Sequence, residues 1–270
     1  MGSRRRLDVE LLRRALVTSR GDAQELIAAD RVLVNGAVAA KPSRQVSPAD
    51  AIVLESPPPR FVSRAGEKLD FALSSFGIDV AGVRALDAGA STGGFTDCLL
   101  QRGASEVVAL DVGHGQLHER IRGDRRVTAI ERQNVRHVTA SQIGGPVDLI
   151  VGDMSFISLK LVIEPLVTVC RPGGAMVLLV KPQFEAGRIE AARGRGVIKD
   201  PEIHERVRAE ITDALLLAGC SVKAWADSPI TGSDGNREFL VHCTTPIRVP
   251  TVVTSSTLDD TCPTDQRATS

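Results

Sequence analysis

The chain has 270 residues, 43% of them hydrophobic, and balances 33 Lys/Arg against 33 Asp/Glu. That is enough for one large domain with a real core beside a small one, and it excludes a disordered low-complexity chain. A formal net charge of zero singles out no partner; no run of about 20 apolar residues and no signal-peptide core is present, so neither a transmembrane span nor a secretion signal is expected.

The charge is unevenly spread. Residues 1–60 hold ten Lys/Arg against seven Asp/Glu, and "RRR" (Arg4 to Arg6) opens them. A run of this kind is more often a solvated face than a binding site. The five cysteines, Cys98, Cys170, Cys220, Cys243 and Cys262, are widely spaced and form no CxxC pair. They suit reduced thiols in a cytoplasmic protein, with no metal site and no disulfide framework.

Residues 4–56 read as a small module. "LDVELLRRALV" carries apolar residues at helical spacing, and "SRGDAQELIAAD" reads as a second helix with Ser19 as its N-cap. "RVLVNGAVA" alternates like a strand pair turned at Asn35–Gly36, and "DAIVL" adds a short strand. "SPPPR" then interrupts the pattern, because consecutive prolines donate no ladder hydrogen bonds. The domain organisation expected is 1–56, a linker over 57–62, a large domain over 63–245 and a disordered tail over 246–270.

In the large domain, strand candidates are "VRALDAG", "EVVALDVG", "RVTAIE", "VDLIVGD", "AMVLLVKP", "SVKAWADS" and "REFLVHC". Helices are predicted over 93–102, 115–122, 158–170 and 201–218. The alternation predicts an α/β fold with a mostly parallel sheet covered on both faces. The last two strands have no helix between them, so an antiparallel hairpin at the sheet edge is expected.

The first of these strands runs into "DAGASTGGF". A P-loop requires a lysine that is missing here. The spacing of Gly89, Gly93 and Gly94 also departs from the G-x-G-x-x-G of dinucleotide sites. Asp111, 22 residues after Gly89 at the end of the next strand, stands where an acid grips ribose hydroxyls, or else caps a helix. With Gln133 and Asn134 beside an adenine, the set suits a nucleoside without a pyrophosphate cradle, such as S-adenosylmethionine. Gly89, Ala90, Ser91, Thr92, Gly93, Gly94 and Phe95 form its turn.

The fourth strand ends in "GDMSF", with Asp153 at the crevice. It lacks the prolines of the [DN]-P-P-[FY] element of base-amino methyltransferases, and no cysteine stands at a strand end for carbon-5 chemistry. Lys181 closes the nearly apolar fifth strand, an unusual place for a lysine. Desolvation there makes it a candidate general base. Lys68 from "SRAGEKL" and Glu238 from "NREFL" either join Lys181 and Asp153 in a proton-abstracting network or are ordinary surface charges.

"DAGASTGGFT", "DVGHGQL", "DMSFISL", "VKPQFE" and "GNREF" together resemble the TlyA (haemolysin A-like) family. These are FtsJ/RrmJ-type ribose 2′-O-methyltransferases with an N-terminal S4 RNA-binding domain, and the resemblance spans roughly residues 4–245. It implies a Rossmann-like class I methyltransferase sheet whose last strand is antiparallel, next to an S4 α+β domain. It implies a tetrad at Lys68, Asp153, Lys181 and Glu238, with S-adenosylmethionine as cofactor and Asp153 also near its methionine end. The implied acceptors are cytidines of ribosomal RNA in helix 69 of 23S and in the decoding helix of 16S. The linker "PPPRFV" departs from the Arg-x-Trp-Val of an actinobacterial member, and the tail matches no family motif.

On this reading Lys181 takes the 2′ proton, Lys68 is the like charge that keeps it neutral, and Asp153 and Glu238 orient the pair. The four titrate as a coupled set. Phe156 stacks on a flipped base or packs in the core. Phosphate contacts fall to Arg4, Arg5, Arg6, Arg14, Arg20, Lys41 and Arg44 in the small module. Around the crevice they fall to Arg64, Arg132, Arg136, Arg188, Arg193 and Arg195. A monomer acting on ribosomal subunits is expected. Three other readings stand beside it: a membrane-active haemolysin, which lacks a bilayer-entering segment; a non-catalytic RNA-binding protein; and a methyltransferase for small molecules or proteins.

Overall fold

A computed structural model describes residues 4–17, 19–55, 59–187, 190 and 196–247. The chain divides into two compact units between Arg60 and Phe61. The expected linker therefore ends on a core residue: the Phe61 ring is buried against Gly66, and the Val62 amide donates to Asp97 Oδ2 at 2.8 Å. Residues 57, 58 and 248–270, which include most of the expected tail, lie outside the described residues.

The first unit contains β1 (Arg5–Arg6), α1 (Leu7–Arg13), α2 (Arg20–Ala28), β2 (Val32–Val34), β3 (Ala37–Val38), β4 (Gln45–Val46) and β5 (Ile52–Leu54). Ser19 caps α2 in a reciprocal capping box with Asp22, fixing the helix start. Asn35 and Gly36 take φ of 55° and 80°, the left-handed pair that a tight β2–β3 hairpin turn requires. β5 pairs with the other edge of β2. Leu7, Leu11, Ala23, Ile27, Val32, Val34 and Val46 close the core. The short β1–β4 pair has too few residues for an alternation to show in sequence.

Two acids of α1, Asp8 and Glu10, are buried, and arginines surround them. Arg6 and Arg20 reach Asp8 at 3.0 and 2.8 Å, while Arg13 and Arg14 reach Glu10 at 2.6 and 2.9 Å. Hydrogen bonds from Arg13 and Arg14 hold the Glu10 carboxyl down at about 2, and those from Arg6 hold Asp8 well below the carboxylate range. A depressed pKa gives stability that is complete above the unfolded value, near 4, and is lost as pH falls toward the folded one. Acid unfolding of this unit between about pH 4 and pH 2 is therefore expected. Far-UV circular dichroism of the wild type and of Glu10→Gln checks it, the variant showing a weaker pH dependence.

The second unit is built on a seven-stranded sheet of β6 (Arg84–Ala88), β7 (Glu106–Leu110), β8 (Val127–Ile130), β9 (Val147–Gly152), β10 (Cys170–Val180), β11 (Ser221–Asp227) and β12 (Phe239–Thr244). Its order is β11-β12-β10-β9-β6-β7-β8. β12 runs antiparallel to β10 and β11, so the last strand lies inside the sheet edge and β11 forms the edge itself.

The helices are α3 (Ala65–Phe76), α4 (Gly94–Gln101), α5 (Glu119–Arg122), α6 (Ile163–Val169), α7 (Pro182–Glu185) and α8 (Pro201–Leu217). Successive side chains of a strand face opposite sides. Met176, Leu178 and Val180 therefore pack with Leu166 of α6 and Val207, Ile211 and Leu215 of α8. Val177 and Leu179 pack with Leu69 and Leu73 of α3 and Phe95 and Leu99 of α4. A continuous apolar run is what a strand covered on both faces needs.

Two predicted helices are shortened. Only Glu119–Arg122 of 115–122 is helical, because carboxylates take the preceding amides: Gly113 N–H donates to Asp111 and Gly115 N–H to Glu131. The 158–170 segment splits into a 3-10 turn over Leu159–Leu161 and α6. α3 and α7 were not anticipated.

Candidate active site

The strand registers bring the site residues to one edge. Ala88 lies opposite Leu110 and Gly152, and Gly152 opposite Leu178. Val180 lies opposite Phe239, so the start of antiparallel β12 meets the end of parallel β10. The residues just past these positions are Gly89, Asp111, Asp153 and Lys181, with Glu238 before β12. Strand order reverses between β6 and β9, the place where open α/β sheets hold ligands.

The glycine turn proves to be a packing joint. Gly89 sits at φ 85°, and a Cβ there would stand 2.9 Å from the Asp153 carbonyl. A Cβ on Gly94 would stand 2.2 Å from Ser63 Oγ. At both positions the side that a Cβ would occupy is filled by neighbouring protein. Phe95, expected at the cofactor, is instead buried in the core with Leu99, as its place on the inner face of α4 dictates, and Ala90 is buried with it. Ser91 and Thr92 stay exposed on the turn.

Asp111 is no helix cap. Its Oδ2 accepts from Ser91 N–H at 2.8 Å and its Oδ1 from Gly113 N–H at 2.7 Å, tying the glycine turn to the next loop. The Gln133 amide donates to the Asp111 carbonyl at 3.0 Å. Asn134 caps the 3-10 turn Val135–His137, its Oδ1 accepting from Arg136 N–H at 3.0 Å, so that oxygen is already engaged. Glu131 accepts from Gly115 N–H at 3.0 Å and lies beside Asp111, Ser91 and Gly113 around a small cavity.

Asp87, unremarked in the sequence although it stands in "LDAG", is fully buried at the end of β6. Thr96 Oγ1 donates to its Oδ2 at 2.6 Å, while its Oδ1 has no partner among the described residues. Burial pushes its carboxyl up to about 7 against the Thr96 hydrogen bond, and the charges of Asp153 and Asp111 add to the rise. Below about pH 4 folded and unfolded states both hold the proton. Above that only the unfolded state releases it, so stability falls as pH rises toward about 7 and is then level. The loss is on the order of 4 kcal/mol. Asp87→Asn is expected to remove most of this difference, read as the change in Tm between pH 5 and pH 8.

The four charged residues form two ion pairs around one cavity. Lys68 Nζ donates to Glu238 Oε2 at 2.6 Å, both side chains being buried. Lys181 Nζ lies 2.6 Å from Asp153 Oδ1 and donates to Ser155 Oγ at 2.8 Å. Lys68, Lys181 and Glu238 line a cavity of about 680 Å³ with Ser155, Phe156 and Phe184. The surface-charge reading of Lys68 and Glu238 is excluded by their burial. Glu238 holds Lys68 directly, as the expected pairing requires.

Phe156 is 92% exposed, which excludes the core-packing reading. Its φ of 63° is a left-handed strain of about 1–2 kcal/mol. Its ring lies 5.2 Å from Phe184 at 50°. Next to Phe184 in the chain, the buried Glu185 carboxylate accepts from Ser158 Oγ at 2.5 Å and from Leu159 N–H at 2.8 Å. Burial raises the Glu185 carboxyl against these two hydrogen bonds. Phe184 and Glu185 were legible only as part of "VKPQFE".

Among the basic residues, Arg64 lines the cavity, and Arg132 and Arg136 are exposed. Arg188, Arg193 and Arg195 lie outside the described residues. Arg4, Arg5 and Lys41 are exposed and Arg44 is half-buried. Arg14 is corrected to a structural role: it binds Glu10 and the carbonyls of Ser47, Pro48 and Asp50. Arg6 and Arg20 keep exposed guanidinium surface while pairing with Asp8.

Comparison with known proteins matches residues 61–244 to the FtsJ-like methyltransferase family and residues 5–52 to the S4 domain. A 16S/23S rRNA (cytidine-2′-O)-methyltransferase TlyA of Mycobacterium tuberculosis is 48% identical over 243 residues, covering 89% of this chain and 90% of that protein. The solved structure of a candidate hemolysin from Streptococcus thermophilus aligns with TM-score 0.68 and 38% identity, covering 91% and 90%. A candidate S-adenosylmethionine dependent methyltransferase of Listeria monocytogenes, with TM-score 0.51 and 16% identity over 68% of this chain and 99% of its own, shares the fold. No helix among the described residues is long and apolar enough to cross a membrane.

Proposed function

The chain belongs to the TlyA (haemolysin A-like) family of FtsJ-like methyltransferases with an S4 domain, and we propose that it methylates cytidine ribose 2′-hydroxyls in ribosomal RNA. The observation that carries this reading is the cavity where both ion pairs, Lys68–Glu238 and Lys181–Asp153, meet an exposed aromatic ring. The finer acceptors proposed are cytidines of helix 69 in 23S and of the decoding helix in 16S, reached in the cytoplasm.

S-adenosylmethionine supplies, when bound, a methyl group on a positively charged sulfur. The residues fit such a group. The unpartnered Asp87 Oδ1 and the Asp153 carboxylate suit its positive charges, and Asp111, Glu131 and Gln133 flank the place for its nucleoside. Lys181 would take the 2′ proton as the 2′ oxygen displaces the sulfur, now uncharged, from the methyl carbon. The ammonium so formed is held by Asp153 at 2.6 Å and Ser155 at 2.8 Å. Glu238 fixes Lys68 against the same cavity, where the pair shapes the wall around the ribose. Phe156 stacks on the base of the acceptor nucleotide, which must leave its helix to be reached. The S4 domain, through Arg4, Arg5, Arg6, Arg20, Lys41 and Arg44, contacts phosphates, and so do Arg64, Arg132 and Arg136 around the cavity.

Transfer of labelled methyl from S-adenosylmethionine to unmodified 30S subunits, 50S subunits and free rRNA tests the reading. Label in RNA is expected. Cofactor binding with no labelled RNA would favour a non-catalytic RNA-binding protein instead.

A further inference from the structure

Glu185 is buried, and its carboxylate accepts two hydrogen bonds, from Ser158 and Leu159. It lies four residues after Lys181 on α7, whose first residue Pro182 fixes the turn, and α7 also carries Phe184. Its two partners, Ser158 and Leu159, close the loop that leaves β9 with Asp153, Ser155 and Phe156. One carboxylate thus ties the segment bearing Lys181 to the loop bearing Phe156. The tie has a strained residue to hold. Phe156 keeps a left-handed backbone while almost wholly exposed, and its ring meets that of Phe184. Such conformations persist only where surrounding contacts over-determine them.

We propose that Glu185 is a positioning residue that latches the 153–158 loop onto α7 and so sets Phe156 for the acceptor base; this rests on the methyl-transfer reading above. Glu185 acts through the loop and exchanges no atom with the substrate. Both latch bonds run from donors on the loop, the Ser158 hydroxyl and the Leu159 amide, to the carboxylate oxygens. A glutamine keeps an acceptor for Leu159 and offers an N–H to the Ser158 hydroxyl oxygen. An alanine removes both bonds.

The test is a double-mutant cycle on the full chain with unmodified ribosomal subunits as substrate. Glu185→Ala is expected to raise KM for the subunits or lower kcat/KM about tenfold at unchanged cofactor affinity, and Glu185→Gln to recover most of it. In a Phe156→Ala background, Glu185→Ala is expected to add less than twofold, because the ring it sets is gone. Full additivity of the two losses overturns the proposal. So does a Glu185→Ala protein that melts earlier but keeps wild-type kcat/KM per folded molecule. Failure of the wild type to label any RNA is a separate result and strikes the methyl-transfer reading itself.

Discussion

Replacing Lys181 with alanine is expected to lower methyl transfer by about a hundred- to ten-thousandfold, the usual worth of a positioned general base, with cofactor binding intact. Lys181 closes β10, is buried, and has its Nζ fixed by Asp153 at 2.6 Å and Ser155 at 2.8 Å. Lys68 lines the same cavity, but its Nζ is bonded to Glu238. Lys181→Arg separates two explanations. A guanidinium places a permanent charge beside Asp153 and cannot serve as a base near neutral pH. It should therefore be as inactive as alanine. Single-turnover rates with calorimetric cofactor titrations make the measurement, and an active arginine variant would reassign Lys181 to electrostatics alone.

Glu238→Ala should cost the second unit about 3–5 kcal/mol, because it strands the buried Lys68 ammonium without its carboxylate. In a unit of this size that is a fall in Tm of roughly 6–20 °C. The double variant Lys68→Met/Glu238→Leu removes both charges together. It should regain most of the stability, since well-packed apolar replacements of buried pairs are often neutral or better. Activity should stay low in the double variant if the pair shapes the ribose wall. Recovery of activity together with stability would make the pair a fold element only. Differential scanning fluorimetry beside the transfer assay reads both quantities.

Much of the sheet could be read from the sequence because its strands are apolar runs ended by polar residues. "AMVLLVKP" shows both the strand and the lysine that closes it. The chemistry-bearing residues sit at those ends, so the site was legible in outline. What escaped were features set by tertiary contact. α3 lies under "AGEKLDFALSSF", where Lys68 interrupts the apolar face at a position buried only because Glu238 arrives from 170 residues away. Residues 115–118 read as helical because nothing local reveals that Asp111 and Glu131 capture the amides of Gly113 and Gly115. Phe95 and Phe156 each follow a turn in the sequence. Only the fold decides that Phe95 faces the core and Phe156 faces solvent. Arg14 read as a free cation until Glu10 and three carbonyls claimed it. Asp87 sits inside a strand candidate, where only its burial beside Thr96 marks it as special.

The most direct test of the central claim is the position of the transferred methyl. Labelled RNA from the subunit assay is hydrolysed in alkali and its nucleosides are separated. Ribose 2′-O-methylation blocks the neighbouring phosphodiester from cleavage, so label should appear in alkali-resistant dinucleotides and then in 2′-O-methylcytidine. Label recovered in alkali-sensitive mononucleotides, on a base, would contradict the assignment of Lys181 as the group that takes a ribose proton.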